Sequence, residues 1–153
     1  MIGIGATAAT DLWGVIRKHW LGVAFPDYGL VGRWIAHMKH GQFRHEAIAK
    51  SPAIPGETIL GWVVHYLTGI AYAALLIAIW GRQWILHPAI LPGLAVGLGT
   101  VAAPFLLMQP GMGAGIAASR TPNPAAARLQ SLLMHAAFGL GLYASGWALR
   151  LLG

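Results

Sequence analysis

Four side chains set the chemical possibilities of this chain. Asp11, His65, Gln109 and His135 are an acid, two imidazoles and an amide, each embedded in a run of apolar residues. Spacing puts three of them at one depth. Asp11 lies seven residues before Lys18, His65 seven after Thr58 and His135 seven after Arg128, so on helices rising about 1.5 Å per residue each sits roughly 10 Å inside a polar boundary. Gln109 approaches the same level beside Pro110-Gly111, and Tyr72 and Tyr143 continue the two histidine-bearing faces.

An acid and two imidazoles in reach of one another would relay protons or bind a small cationic solute. Imidazole titrates near neutral pH and can pass a proton between its two nitrogens. The same residues admit other chemistry. His65 and His135 would ligate a haem iron (haem b) from opposite sides, with Gly69 and Gly139 making room for the porphyrin. With Asp11 added they would suit a non-haem iron or zinc, although the spans hold no second acid. With no cofactor at all, His–Asp and His–Gln hydrogen bonds would lock helix pairs, as in a structural or assembly subunit of a membrane complex.

The elements that carry these side chains point to lipid as the solvent. The 153 residues are 57% hydrophobic and 9% charged, well below the roughly 25% charged of an average soluble domain. Four stretches approach the ~20 apolar residues that a bilayer core of about 30 Å requires, at residues 2–18, 58–80, 88–113 and 128–150. The expected architecture is all-α: one membrane domain over residues 1–153, a bundle of four transmembrane helices. Each helix carries a stripe of small or polar residues suited to a neighbouring helix, for example Gly3, Thr7, Asp11, Gly14 and Lys18 on the first. In the third span Pro104 and Pro110 are expected to break the helix, because proline removes a backbone donor. The segment 2–18 has no basic leader and carries Asp11, so it reads as a retained helix rather than a cleaved signal.

Charge sets the orientation. The loops after the first and third spans hold Arg17, Lys18, Arg33, Lys39, Arg44, Lys50, Arg120 and Arg128, whereas the opposite side has Arg82 and Arg150. The positive-inside rule therefore places residues 19–57 and 114–127 in the cytoplasm and both termini outside. Within the loop, Leu30, Val31, Trp34, Ile35 and Met38 recur at helical spacing. They predict a short interfacial helix over 29–40, with Arg33, Trp34, Lys39 and Arg44 in contact with lipid headgroups. The nearby cations also argue against a metal held by His37, His40, His45 and Glu46.

The net charge of +6 is accounted for by topology and anionic lipid, so no nucleic-acid partner is expected. A homo-oligomer or a larger membrane complex is compatible with the small-residue stripes. With no cysteine, disulfide and thiolate chemistry are excluded. The chain also lacks a nucleophile elbow, a phosphate loop and a zinc-protease helix, so a non-enzymatic role is expected. A weak internal repeat pairs His65, Gly69 and Tyr72 with His135, Gly139 and Tyr143.

Several motifs carry a resemblance along nearly the whole chain. They are Tyr28-Gly29-Leu30-Val31-Gly32-Arg33-Trp34, Phe43-Arg44-His45, Pro55-Gly56-Glu57, Gly61-Trp62 with His65-Tyr66, Met108-Gln109-Pro110-x-Met112-Gly113, and Ala118-Ser119-Arg120-Thr121-Pro122-Asn123-Pro124. Together they resemble the uncharacterised bacterial membrane family catalogued as domain of unknown function 2938. The resemblance implies a multi-pass protein of the bacterial inner membrane, and it implies no activity and no catalytic residues.

Overall fold

The computed structural model describes Met1–Leu152, and all regular structure among these residues is helical. In chain order the helices are α1 (Ile2–Leu21), α2 (Tyr28–Met38), α3 (Glu57–Trp80), α4 (Ile90–Gly111) and α5 (Pro124–Leu152). α3, α4 and α5 are long and apolar enough to cross a membrane. α1 is not, which corrects the expected four spans to three. Its 20 residues are long enough, but every eighteen-residue stretch of it contains Asp11, Arg17 and Lys18 together.

Local chemistry explains where the helices stop. Gly22 ends α1 in the left-handed region (φ 63°), which costs a residue without Cβ little. Asp27 opens α2 by accepting the Gly29 N–H at 2.9 Å. α5 starts at Pro124, earlier than its apolar run predicts, because Asn123 caps it by accepting the Ala126 N–H at 3.1 Å. Gly81 (φ 71°) breaks the helix after α3, and the next turn buries Trp84, whose indole N–H donates to Ala89 O at 3.0 Å. In α4, Pro104 opens a π-helical turn over Pro104–Met108, closed by the Gln109 N–H on Pro104 O.

The chain forms two compact units. One comprises Met1–Pro26, Tyr66–Thr100 and the chain from Leu132; the other comprises Asp27–His65 and Val101–Ser131.

The first unit has a small core of Ile2, Ala6, Ala73, Leu76, Trp84, Val96, Phe138 and Leu142. Around it the helices meet backbone to backbone at glycines. A Cβ at Gly3 would lie 2.6 Å from Ile70 Cα, one at Gly141 would lie 2.9 Å from Ala6 Cα, and one at Gly97 would lie 2.7 Å from Gly139 Cα. Going along α1, contacts on α3 run from Ile70 at Gly3 to Tyr66 at Asp11, so the two helices are antiparallel. The repeat seen in the sequence has a packing counterpart. Gly69, four residues after His65, meets Thr7 on α1, and Gly139, four after His135, meets Gly93 on α4.

Large apolar side chains point outward instead. Ile59, Val63, Leu67 and Ile70 form an exposed stripe on α3, and Leu106, Leu107, Leu129 and Leu133 are exposed on α4 and α5. Small residues inside and leucines outside is the arrangement that lipid favours, since bilayer tails solvate leucine and close backbone approach then supplies the packing energy.

The second unit interlocks α2, the start of α3, the end of α4 and the connecting loops. A Cβ at Gly32 would overlap Glu57 O and one at Gly61 would overlap Tyr28 O, so α2 and α3 touch through their backbones. The loop after α2 docks on the end of α4. The His45 N–H donates to Gly111 O at 2.8 Å and the Ile48 N–H to Met112 O at 3.0 Å.

Candidate functional site

Two of the predicted polar residues belong to the first unit. Asp11 accepts the Tyr66 hydroxyl at 3.0 Å. His135 presents Nδ1 to Gly97 O at 3.0 Å and to Thr100 Oγ1 at 3.2 Å. Thr100 Oγ1 already donates to Gly97 O at 2.8 Å, so both atoms facing Nδ1 act as acceptors and Nδ1 carries the ring proton. The lone pair of neutral His135 is therefore on Nε2. Tyr72 packs edge-on against Phe138 (centroids 6.0 Å apart), and Tyr143 lies on α5 where it passes Gly93.

The other two belong to the second unit. His65 stacks on Tyr28, with centroids 4.1 Å apart and planes 26° from parallel. Gln109 Nε2 makes a long 3.4 Å hydrogen bond to Ser131 Oγ, while its buried Oε1 has no partner among the described residues. The four polar residues thus take their described partners inside their own units. No group of three or more His, Cys, Asp or Glu suited to a metal occurs among the described residues, so Asp11, His65 and His135 do not form the expected non-haem metal set there. The haem reading also loses its support. Gly69 and Gly139 are occupied by contacts with Thr7 and with Gly93 and Leu94, so neither opens space for a porphyrin.

The loop between α2 and α3 is more ordered than an interfacial segment, and two of its expected headgroup contacts are corrected. Arg33 forms a two-pronged ion pair with Glu57, Nε to Oε2 at 2.8 Å and Nη2 to Oε1 at 2.6 Å, while Nη1 donates to Ser51 O at 3.0 Å. Hydrogen bonding to Glu57 holds the Arg33 guanidinium above its ordinary pKa. Glu57 Oε2 also accepts the Ile54 N–H at 2.8 Å. Trp34 is 7% exposed, lies beside Gly111 and donates its indole N–H to Phe43 O at 2.8 Å. Lys39 and Arg44 are exposed, as headgroup contact requires. Arg44 and Lys50 line an open polar cavity of about 310 Å³ together with Gln42, His45 and Glu46.

Glu57, Tyr66 and the pair His37–His45 were not singled out by helical spacing. For Glu57 a signal existed: the chain has only four acidic residues, so a half-buried arginine had few possible partners. A lysine cannot reproduce the two-pronged geometry. Arg33→Lys is therefore expected to loosen the 48–57 loop nearly as much as Arg33→Ala, read as new protease cleavage between Ile48 and Glu57. Full protease resistance of both variants would show the ion pair to be dispensable.

Over residues 1–149 the sequence matches the family described as protein of unknown function (DUF2938). The chain belongs to this family. No curated protein and no solved structure matches it. The segments that carried the resemblance meet one another in the second unit of this DUF2938 member: Tyr28 against Trp62 and His65, Arg33 on Glu57, Trp34 beside Gly111, and Gly113 under Glu46 O.

Proposed function

We propose that this DUF2938 member is an integral protein of the bacterial inner membrane that handles protons or a small polar solute at ionisable side chains within its spans. The observation that carries this is the tautomer of His135. Its Nδ1–H is committed to Gly97 O and Thr100 Oγ1, which leaves the Nε2 lone pair free within a helix apolar enough to cross a membrane. Ionisable groups at such depth are costly and mark solute or proton pathways by default. Asp11, bonded to Tyr66, supplies a carboxylate in the same unit.

In this reading the basic 22–56 loop lies in the cytoplasm. α1 packs antiparallel on α3. With that loop inside and three apolar spans after it, the C-terminus is external.

The test is proton entry into liposomes reconstituted with the full chain, followed with a trapped pH dye. His135→Asn keeps an N–H for Gly97 O but removes the Nε2 base, so the expected result is intact fold with flux reduced to the protein-free level. Full flux in His135→Asn, or no flux in the parent chain with protons or small cations, would overturn the proposal and leave His135 as a residue that locks α4 to α5.

A further inference from the structure

His37 and His45 are 7% and 8% exposed, and their rings meet through Nδ1 of the first and Nε2 of the second at 3.0 Å. The outer nitrogens face backbone carbonyls: His37 Nε2 lies 3.1 Å from Pro52 O, and His45 Nδ1 lies 3.4 Å from Gly111 O. Carbonyl oxygens only accept. Both outer nitrogens must therefore carry hydrogen to bond there. Two neutral imidazoles have one N–H each, and if both point outward two lone pairs confront one another at 3.0 Å. One further proton between the inner nitrogens turns that repulsion into an N–H···N hydrogen bond. Four nitrogens then hold three protons, and the pair carries one positive charge.

We propose that His37 and His45 form a proton-binding site, a buried imidazole–imidazolium dyad whose shared proton holds the 42–48 loop on the end of α4. A proton taken from solvent is bound and no other bond changes. The dyad connects the elements it would control. His37 is on α2, His45 is in the loop, and Gly111 O receives both the ring and the backbone N–H of His45.

The charge around the pair is mixed. Glu57 is in electrostatic reach of His37 and favours the added proton, and its partner Arg33, one turn earlier on α2, opposes it. Lys39 and His40 follow His37 in the chain, and Arg44 and Glu46 flank His45. Lys50 shares the cavity beside His45. The α4 end contributes no titratable side chain between Val101 and Ser119. A metal ion fits less well than a proton. Zinc sits about 2.0–2.1 Å from each imidazole nitrogen at tetrahedral angles, so a shared ion needs the nitrogens roughly 3.4 Å apart. There is also no third ligand in a group with these two among the described residues.

The sign of the pH response follows. The contact is made while the dyad holds its proton and is weakened once rising pH removes it. Histidine-selective ¹⁵N NMR of the full chain in detergent is expected to show three protonated nitrogens over the two rings and a coupling across the inner N–H–N bond, unchanged by EDTA. Two rings with one proton each at pH 6, or signals that EDTA alters, would overturn the proposal. Hydrogen-exchange protection factors of the His45 and Ile48 amides supply a second reading, with protection expected to be lost as pH rises. His37→Gln can still hydrogen-bond His45 but cannot share the proton, and its protection should lose the pH dependence. An unchanged pH dependence in His37→Gln would also overturn it.

Discussion

Gly32→Ala and Gly61→Ala are each expected to destabilise the protein by about 3 kcal/mol or more, at the upper end of the cost of overpacking a tight interior. The reason is reciprocal. A methyl group at Gly32 enters the space of the Glu57 carbonyl, and one at Gly61 enters that of the Tyr28 carbonyl. Neither neighbour is a side chain that can rotate aside. Relief requires α2 to move off α3, which pulls on the Arg33–Glu57 ion pair and the Tyr28–His65 stack. For a chain of this size the loss corresponds to a fall in Tm of roughly 6–12 °C, measurable by circular dichroism in detergent. Gly99→Ala is the matched control. It is helical and its added Cβ meets nothing within 4 Å, so it should melt at or slightly above the parent because alanine favours helix by up to about 1 kcal/mol. Equal melting of Gly32→Ala and the parent would refute the backbone contact.

Gly113→Ala is expected to release the loop from the end of α4 while leaving the helices formed. Two independent costs coincide at this residue. Its φ of 96° lies where L side chains are strained, and its Cβ would overlap Glu46 O and lie 2.9 Å from His45 O. Together they are worth on the order of 2–4 kcal/mol, comparable with the two backbone hydrogen bonds and the indole contact that hold the loop there. The expected signature is a red-shifted Trp34 emission and rapid exchange of the His45 and Ile48 amides, with far-ultraviolet ellipticity unchanged. Because Trp34 is one of seven tryptophans, the emission is read as a difference against the same pair of chains carrying Trp34→Phe. Unaltered exchange in Gly113→Ala would mean that the loop docks by other contacts.

The long helices were legible because length and apolarity mark a helix fit to cross a membrane, and the expected spans 58–80, 88–113 and 128–150 lie close to α3, α4 and α5. The first was legible as a helix but not as a span of the same kind. Its charges lie within any stretch long enough to cross, while of the expected stripe Gly3, Thr7 and Gly14 are buried, Asp11 is half-buried and Lys18 is exposed. α2 shows the opposite failure. Spacing of Leu30, Val31, Trp34, Ile35 and Met38 located the helix, yet of these only Trp34 is buried, together with Gly29, Gly32, Ala36 and His37. Periodicity weighs large apolar side chains, whereas here Gly32 fixes the contact with α3 by allowing backbones to touch, so Leu30, Val31, Ile35 and Met38 do not set the buried face.

The polar residues were individually legible and their partners were not. Depth along a helix follows from counting, but azimuth depends on crossing angles that counting does not supply. Asp11 to Tyr66 and His135 to Gly97 are contacts of that second kind. The His37–His45 pair needed a further step, because the chain between the two rings contains Gly41 at φ 75°, a turn whose direction no spacing rule specifies.

The π-helical turn at Pro104–Met108 separates two quantities that an α-helix keeps tied together, the number of residues and the direction a side chain faces. Gln109 stacks over Pro104 after five residues rather than four, through the Gln109 N–H on Pro104 O. Losing one residue from Phe105–Met108 would return the turn to ordinary α-helix, shorten it by about 1.5 Å, and still leave the glutamine above the proline. The same deletion near Gly93 or Gly97 would swing every later side chain by about 100°. α4 therefore contains a length register that tolerates an indel, placed between a stretch where glycines forbid one and the bend that receives the loop.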